Sequence, residues 1–558
     1  MSKKVAKGIS IVLCTLLISS ITACGSKSDS GSGNSSVSTS AVGTAKEADK
    51  LGKYTPAIKI NVVRTLDSTT KFDQNNPDAK SITENIWQKS YLDDLGIDLN
   101  YLWTPTTEQY GAKWNTALAS GDIPDMALVD ATIYKTLVNG DLVEDMTQYY
   151  EQYAGDTYKQ CNEEDGHLMM KYMTFEGKML GLPVNGTQPD DVMMLGIRKD
   201  WLKKVNMTEP KTIDELVKVA AAFKEAKLGG ADTYGLAATK NIKTFEGDLV
   251  GFLNGYGAYY DCWVKDSSGS NLVYGSVQPE VKSALLKLQE MYKNGLLKKD
   301  FAVDDGTKAG ADLTSGKVGI EYMIFWAPLS QMQNNINADP DAEWEVITIP
   351  TIDGSSPKLQ ASAAPAQYFF VKKGFKYPEA ALKIINYNSK IISAPENNLK
   401  YNINEAGLAI WQYCFNQNQT HPWKNLTVYK AVDTALKTGD EASFATEEQK
   451  ATYKNVKDAL AGNRKAAGYD LIFGQKSVFS LINSYKDNNQ IMVDAYQSLP
   501  TETMLSKGNV LKTDLDATFL GIIMGDDISK FDKAVETWKK NGGDQITKEV
   551  NDWYSKNK

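Results

Sequence analysis

The chain has 558 residues, of which 42% are apolar and 10% aromatic, and its formal net charge is −8. This length exceeds what a single hydrophobic core usually holds, so two or more packed units are expected. Acidic and basic residues are mixed along the chain and no basic patch appears, which argues against nucleic-acid binding. Only two histidines occur, His167 and His421, and there is no Cys-x-x-Cys pair, so the sequence predicts no zinc site.

The first 23 residues have the pattern of a secretory signal peptide. Lys3, Lys4 and Lys7 form a positive start, and an apolar run follows at 9–19. About eleven residues at 1.5 Å each cannot span the ~30 Å hydrocarbon core of a bilayer. The run ends in Ile-Thr-Ala-Cys at 21–24, which resembles a bacterial lipobox and implies that Cys24 receives diacylglycerol and then palmitate. The alternative is ordinary secretion with an incidental cysteine.

Residues 24–52 are rich in serine and glycine and contain little that could pack. A flexible chain of this length has a root-mean-square reach of ~28 Å. Removal of 1–23 takes away three lysines and no acidic residue, so the net charge of the mature chain changes from −8 to −11. We therefore expect a tether that holds the protein to the membrane through lipid, because anionic headgroups would repel the body.

The first elements after the tether predict a β-α-β unit. The stretches 57–63 and 96–103 alternate apolar and polar residues, as half-buried strands do, and 81–96 between them reads as a helix closed by Gly96. Further along, Thr212 and Glu215 form a capping box, and a helix is predicted from Pro279 to a cap at Gly295. Two amphipathic helices broken at 541–543 end the chain. This alternation of strands and helices predicts an α/β fold.

Motifs of common enzymes fail on spacing. The stretch 468–477 resembles a phosphate loop, but Gln475 separates the glycine from the lysine that must be adjacent. The Gly-Tyr-Gly at 255–257 lacks the third glycine of a dinucleotide fingerprint, and no Gly-x-Ser-x-Gly elbow is present. A glycosidase pair of carboxylates stays open, because two acids 5 to 9 Å apart leave no trace in sequence. We predict that the protein is not an enzyme and needs no cofactor.

Five cysteines occur in the chain. Cys14 and Cys24 lie in the leader, and the remaining Cys161, Cys262 and Cys414 are expected to be buried apolar residues.

Six stretches, in order, resemble the extracellular solute-binding proteins of bacterial ABC importers: 115–130, 177–186, 197–205, 279–301, 315–320 and 522–543. The branch that the chain resembles is the family 1 type group of lipoproteins, which has LplA-type and alginate-oligosaccharide-binding members. The resemblance implies a type II periplasmic-binding-protein fold, two α/β lobes joined by hinge strands with a ligand cleft between them. The expected lobes are 53–188 with about 364–450, and 189–363 with about 451–558.

This resemblance also implies a function and partners. A lipid-anchored receptor on the outer face of the cytoplasmic membrane would capture a carbohydrate, most simply an oligosaccharide, by cleft closure. It would deliver that ligand to the ABC permease and act as a monomer. The alternatives are a surface-tethered polysaccharide-degrading enzyme and a ligand receptor for a sensor kinase.

Sugar binding needs flat aromatic faces and planar polar groups for the hydroxyl rim. Trp326 follows an apolar run and matches the position of a stacking tryptophan in maltodextrin-type relatives. Arg64, Asp67 and Asp130 follow strand-like runs, and open α/β sheets bind ligands at the carboxyl ends of strands. The alternative for these carboxylates is a turn or a helix cap. The remaining candidates lie near an expected crossover or offer a further aromatic face: Asn185, Gln188, Trp263 and Tyr368.

One departure from the resemblance concerns calcium. Alginate-type relatives carry a calcium loop of Asp/Asn-Gly pattern just before the Asp-Thr-Tyr-Gly that stands here at 232–235. In this chain the stretch 223–235 keeps only Asp232 as a convincing ligand, whereas calcium takes six to eight oxygens. We therefore predict no calcium at this loop.

Overall fold

The computed structural model describes residues 49–66, 70–184, 190–362, 364–392, 399–401, 408–416 and 421–558. The predictions for Cys24, Asp67, Asn185 and Gln188 lie outside these ranges, as does the signal peptide.

Two separate sheets organise the chain. Thirteen strands lie in the described ranges: β1 Ile58–Val63, β2 Ile97–Trp103, β3 Met126–Val129, β4 Thr174–Phe175, β5 Lys178–Met179, β6 Met194–Arg198, β7 Trp263–Lys265, β8 Leu272–Tyr274, β9 Ile320–Met323, β10 Trp344–Ile347, β11 Leu359–Ala361, β12 Tyr368–Val371 and β13 Ile491–Val493. The first sheet has the order β12-β3-β1-β2, and the second has the order β10-β6-β9. In the first sheet β1 pairs in parallel with β2 and β3, and β12 is antiparallel. The second sheet is antiparallel throughout.

Helices cover both sheets. Those within the described ranges are α1 Ile86–Ser90, α2 Thr107–Ser120, α3 Ala131–Asn139, α4 Thr147–Tyr153, α5 Asp156–Glu164, α6 Leu168–Met173, α7 Lys199–Lys204, α8 Ile213–Glu225, α9 Val250–Gly255, α10 Pro279–Lys293, α11 Gly306–Thr314, α12 Gln331–Ala338, α13 Glu379–Ile392, α14 Lys424–Thr438, α15 Glu447–Leu460, α16 Ala467–Phe473, α17 Val478–Asp487, α18 Asn509–Ile523, α19 Ser529–Trp538 and α20 Asp544–Asn557.

The predicted β-α-β unit is confirmed, with a shorter helix. β1 and β2 pair in parallel from Ile58 opposite Ile97. The helix begins at Ile86 and not near Ser81, because the Asn85 side chain accepts the N–H groups of the first turn and fixes the start there. Gly96 ends the helical segment before β2 with φ of 64°, and a Cβ there would lie 2.3 Å from the Tyr54 carbonyl oxygen, so only glycine fits.

The other helix signals are confirmed as well. Thr212 and Glu215 form the capping box of α8, and Pro279 occupies the first turn of α10. The two terminal helices, α19 and α20, break at Gly542, whose φ is 152°. Cys161, Cys262 and Cys414 are free and buried, as expected of small apolar residues. Burial raises the pKa of the Cys414 thiol to about 11.

Apolar residues form distinct cores around the two sheets. The clusters around the first sheet draw on 58–184 and 368–415, with Leu499 added from far along the chain. The cluster around the second sheet draws on 192–361 and 426–554. We call these regions lobe 1 and lobe 2; the chain passes between them near 184–192, 361–368 and 415–426. The lobe boundaries stay a prediction, although Leu426 and Tyr429 of α14 pack in the lobe 2 core.

One strand of the second sheet carries a buried acid. Glu321 in β9 has no exposed surface, and its carboxyl group accepts hydrogen bonds from the Gln331 amide at 3.3 and 3.2 Å. Burial without a cation raises the pKa of this carboxyl to about 8.

The described helices include none that is both long and apolar enough to cross a membrane.

Replacement of the buried acid, Glu321→Gln, should change how stability depends on pH. Between about pH 4.5 and 8 the folded protein holds a proton that the unfolded chain releases, so this carboxyl lowers stability as the pH rises. We expect the variant to gain on the wild type by at most about 1.4 kcal/mol per pH unit in that window. Thermal unfolding midpoints at pH 5 and 8.5 measure this gain. The exposed Glu225→Gln is the control, and an equal gain at both pH values would contradict the expectation.

Candidate ligand-binding cleft

Two adjoining cavities open between lobe 1 and lobe 2. The Phe245 cavity, of about 300 Å³, includes Tyr172 of lobe 1 among walls that are mostly lobe 2. The Trp263 cavity, of about 310 Å³, includes Ala131 and Tyr368 of lobe 1. Both cavities share four residues on one wall: Asp261, Ala364, Asp494 and Tyr496. We refer to the two cavities together as the cleft.

The chain that follows β13 supplies two residues of the shared wall, Asp494 and Tyr496. This strand pairs in parallel with β11, and Asp494 comes directly after its carboxyl end. Asp494 Oδ1 accepts the backbone N–H groups of Tyr496 at 2.8 Å and Trp263 at 3.3 Å, so the carboxyl is fixed in position. The Tyr496 hydroxyl donates to the Leu499 carbonyl at 2.7 Å, and Leu499 packs in a lobe 1 core. The segment therefore connects both lobes at the cleft.

Three carboxylates, Asp191, Asp261 and Asp494, are part of the polar lining. Burial raises the pKa of Asp494 to about 7, more than its two N–H donors lower it. Asp191 has surface exposed to the Phe245 cavity, yet partial desolvation by the surrounding protein raises the pKa of its carboxyl to about 6. The positive charge of Lys243 lowers this pKa, but by less. Asp261 accepts a hydrogen bond from the Tyr274 hydroxyl at 2.8 Å and has a positive φ of 52°, a conformation rare outside glycine.

Aromatic rings line or border the same space. Phe245 is 61% exposed, and its ring centroid lies 5.5 Å from that of Trp326 at an angle of 56°. Tyr172 is buried at the wall of the Phe245 cavity, and its hydroxyl has no hydrogen-bond partner in the described structure. A buried hydroxyl without a partner is costly, which makes Tyr172 a candidate partner for a ligand that reaches this wall.

The structure places several predicted residues at the cleft. Trp326 follows β9 and borders the Phe245 cavity through its contact with Phe245. Trp263 and Tyr368 both line the Trp263 cavity, where Trp263 packs against Tyr274 at 5.3 Å between ring centroids. Tyr368 stacks on Tyr134 with 4.9 Å between ring centroids. Ligand contact by these three residues stays a prediction.

Asp130 and Arg64 are engaged in other contacts. Asp130 caps α3, where its carboxylate accepts the Ile133 N–H at 2.8 Å, as in the alternative interpretation of a helix-capping acid. Arg64 donates to the carbonyl oxygens of Cys414, at 2.7 Å, and Gln412, so it holds this segment against lobe 1. Neither side chain is among those that line the cleft, and their predicted role in binding stays untested.

Sequence reasoning missed the residues that form most of the cleft lining. Asp191, Phe245, Asp494 and Tyr496 lie on irregular segments or after a three-residue strand, where no periodic pattern marks them. One signal was available: the run Ile-Met-Val at 491–493 followed by Asp494 fits the rule that ligands bind at carboxyl strand ends.

The calcium expectation concerns the turn after α8. Gly229 donates its N–H to Thr233 Oγ1 at 2.9 Å, and that hydroxyl donates to the Gly230 carbonyl at 2.7 Å. The turn is thus closed by its own hydrogen bonds. In the ranges that the structure covers, no group of three or more His, Cys, Asp or Glu residues is arranged to hold a metal ion.

Comparison with known proteins identifies the family. The model of the bacterial extracellular solute-binding protein family matches residues 88–401, which is more than half of the chain, so this chain belongs to that family. Two relatives from Bacillus subtilis (strain 168) are similar over most of their length. The polygalacturonan/rhamnogalacturonan-binding protein YtcQ is 26% identical over 83% of this chain and 86% of its own. Lipoprotein LipO is 24% identical over 83% of this chain and 87% of its own.

Solved structures confirm the two-lobe α/β fold. The alginate-binding protein AlgQ2 without calcium ion superposes with a TM-score of 0.60 at 17% identity, covering 91% of this chain and all of its own. An EF-hand mutant of the Streptococcus pneumoniae substrate-binding protein FusA, in complex with fructo-nystose, also has a TM-score of 0.60 at 14% identity, covering 89% of this chain and 99% of its own.

The contacts of Arg64 predict a structural role that can be separated from binding. We expect Arg64→Gln to lower the free energy of unfolding by about 2 kcal/mol, because two charge-assisted hydrogen bonds to carbonyl oxygens are lost. Chemical denaturation measures this change. Lys59→Gln, at an exposed position of β1, is the control and should stay within about 0.5 kcal/mol of the wild type. Unchanged stability would contradict the structural role and favour ligand contact.

Proposed function

We propose that this protein is an extracellular receptor that captures an oligosaccharide in the cleft and delivers it to an ABC transporter permease. The observation that carries the proposal is the cleft itself, where aromatic rings and fixed carboxylates face the same space between two lobes. Rings such as Phe245 stack on the apolar faces of a sugar, and carboxylate oxygens such as those of Asp494 accept its hydroxyl protons. A receptor of this kind performs no reaction.

Relatives support the choice of ligand class. YtcQ is named as a polygalacturonan/rhamnogalacturonan-binding protein, and its similarity extends over most of both chains. FusA is named as a fructooligosaccharide ABC transporter substrate-binding protein and is 26% identical over 40% of this chain and 39% of its own. Both names describe binding of saccharides, and neither describes an enzyme.

The proposed mechanism is closure of lobe 1 onto lobe 2. A ligand that contacts both lobes shifts the open–closed equilibrium by its difference in affinity for the two states. Tyr172 on one side and Asp494 on the other are placed to supply such contacts. The parallel pair β11–β13 lies beside the crossings, so we propose it as part of the hinge. We also place the third crossing before Lys424, because α14 packs in the lobe 2 core. The permease would recognise the closed form.

Binding is tested by calorimetric titration with gluco-, galacto-, manno-, xylo- and fructo-oligosaccharides and with oligogalacturonates, followed by chromatography of the recovered sugar. We expect at least one saccharide to bind and to be recovered intact. In Tyr172→Phe its affinity should fall about tenfold, equivalent to about 1.4 kcal/mol, because the ligand loses a hydroxyl partner while the protein loses none.

Tyr322→Phe is the matched control. Its hydroxyl is likewise buried without a partner in the described structure, but Tyr322 lies in β9 within the lobe 2 core and lines neither cavity. Equal losses of affinity in the two variants would contradict the role given to Tyr172. Cleavage of the saccharide, or the absence of binding to every member of the panel, would contradict the proposed function.

We further propose that Cys24 carries the lipid anchor and that the residues from 25 to about 48 form the tether, which places the receptor on the outer face of the cytoplasmic membrane. The tether is shorter than the expected 24–52, because the carbonyl groups of Lys50 and Gly52 accept hydrogen bonds from Asn386 and Lys383 of lobe 1. The lipobox pattern supports this proposal, as does similarity to a relative named as a lipoprotein. The anchor would act as the sole membrane attachment of the protein.

Cys24→Ser should release the protein into the culture medium and abolish incorporation of radiolabelled palmitate. Cell fractionation and labelling measure both effects. Cys14→Ser, in the apolar run of the same leader, is the control and should keep the protein at the membrane. A Cys24→Ser variant that stays in the membrane fraction would show that another segment anchors the chain.

A further inference from the structure

The cleft is poorly suited to an acidic sugar. We propose that it selects uncharged sugars and rejects uronates, so that the captured oligosaccharide is neutral. This inference rests on the function proposed above and narrows its ligand class. Three observations carry it: the arginines of the chain all have other partners, two lysines are the only cations among the described residues that line the two cavities, and two of the four residues on the shared wall are carboxylates.

Arginine is the residue best shaped to bind a carboxylate, because its planar guanidinium donates two parallel hydrogen bonds. The chain contains only three arginines, Arg64, Arg198 and Arg464. Arg64 is held by the carbonyl oxygens of Cys414 and Gln412, as described above. None of the three lines either cavity of the cleft.

The other two arginines are held on lobe 2, Arg198 in its interior and Arg464 at its exposed surface. Arg198 is 1% exposed and donates to both carboxylate oxygens of Asp200 at 2.7 and 2.9 Å, and to Asp339 at 2.9 Å. Arg464 donates to three backbone carbonyl groups, those of Ile336, Asp339 and Ala342, at 2.9 to 3.2 Å. Freeing Arg198 would leave the buried Asp200 without its guanidinium donor, so this side chain is committed. Arg464 is exposed, but it lines neither cavity of the cleft.

The lysines of the cleft also offer little free positive charge to an anionic ligand. Among the residues that line the cleft, the cations are Lys243 and Lys512. Lys512 is committed to Asp516 at 2.7 Å and to the Tyr260 hydroxyl. Lys243 lines the same cavity as Asp191, and its positive charge lowers the pKa of that carboxyl. The segments between 67 and 420 that lie outside the described ranges contain no lysine or arginine in their sequence, so they add no cation to the cleft.

The wall opposes a negative ligand. Asp261 and Asp494 line both cavities, and Asp191 lines the Phe245 cavity. The raised pKa values of Asp494, about 7, and Asp191, about 6, show that these sites already hold negative charge at a cost. A sugar carboxylate placed among them would add like charges at short range in a poorly screened space. Sugar hydroxyls, by contrast, are donors that these acceptors can use.

The test compares sugars that differ only in charge. Oligogalacturonates are titrated beside their fully methyl-esterified forms, and each neutral oligosaccharide that binds is titrated beside a form with one primary alcohol oxidised to a carboxylate. We expect the charged member of each binding pair to bind at least tenfold more weakly at pH 7.5. Equal or tighter binding of the charged member would overturn the inference while leaving the proposed function intact. Absence of binding by every saccharide would overturn both.

Variants connect the discrimination to the wall. Asp494→Asn keeps an oxygen that can accept the N–H groups of Tyr496 and Trp263 but removes the charge, so it should narrow the gap between charged and neutral members at least threefold. Asp98→Asn, the same change at an exposed position of β2, should leave the gap unchanged. A different result would identify Lys243 as an anion-binding residue and would show that the inference is wrong. In that result the wild type binds an oligogalacturonate tightly, and Lys243→Gln abolishes this binding.

Discussion

The separation of apolar burial into two cores determines the rest of this structure. Each sheet buries its apolar side chains within its own lobe, so few apolar contacts hold the lobes together where the chain crosses between them. The short β11–β13 pair lies beside the crossing near 361–368, and the bond from Tyr496 to Leu499 orders the segment that reaches from this pair to a lobe 1 core. Because hydrophobic burial is the main source of stability, the space between the lobes is left for a ligand to fill.

The same separation explains the chemistry of the cleft. Polar groups that would destabilise a core are tolerated between two cores, where the backbone can supply partners and water can enter. Asp494 shows this balance, because it accepts two backbone N–H groups and is nevertheless enclosed enough to resist ionisation. Its oxygens are fixed before any ligand arrives, which reduces the ordering that binding would otherwise require. Fixed acceptors beside aromatic rings suit a sugar, which has hydroxyl donors around apolar faces.

Much of the fold could be predicted from sequence because its signals are local. Alternation in 57–63, the capping box at Thr212 and the left-handed turn at Gly96 depend on residues close in sequence, and each was predicted correctly. The start of α1 was misplaced because the Asn85 cap was overlooked. The cleft was harder, since Tyr172, Phe245 and Asp494 become neighbours only after both lobes have folded. Trp263 and Tyr368 were predicted as further aromatic faces and both line the Trp263 cavity. The carbonyl partners of Arg64 come from a segment about 350 residues away in sequence, so its contacts could not be read from its neighbours in the chain.

The three cysteines of the body have a practical consequence. Cys161, Cys262 and Cys414 are buried, and burial raises the pKa of each thiol, which suppresses the reactive thiolate. The two remaining cysteines of the chain both lie before residue 25. The surface of a protein without its leader and first tether residues should therefore not react with thiol reagents. One cysteine introduced on each lobe could then carry a donor and an acceptor dye, and the distance between the lobes could be followed molecule by molecule without replacing any of the three buried cysteines.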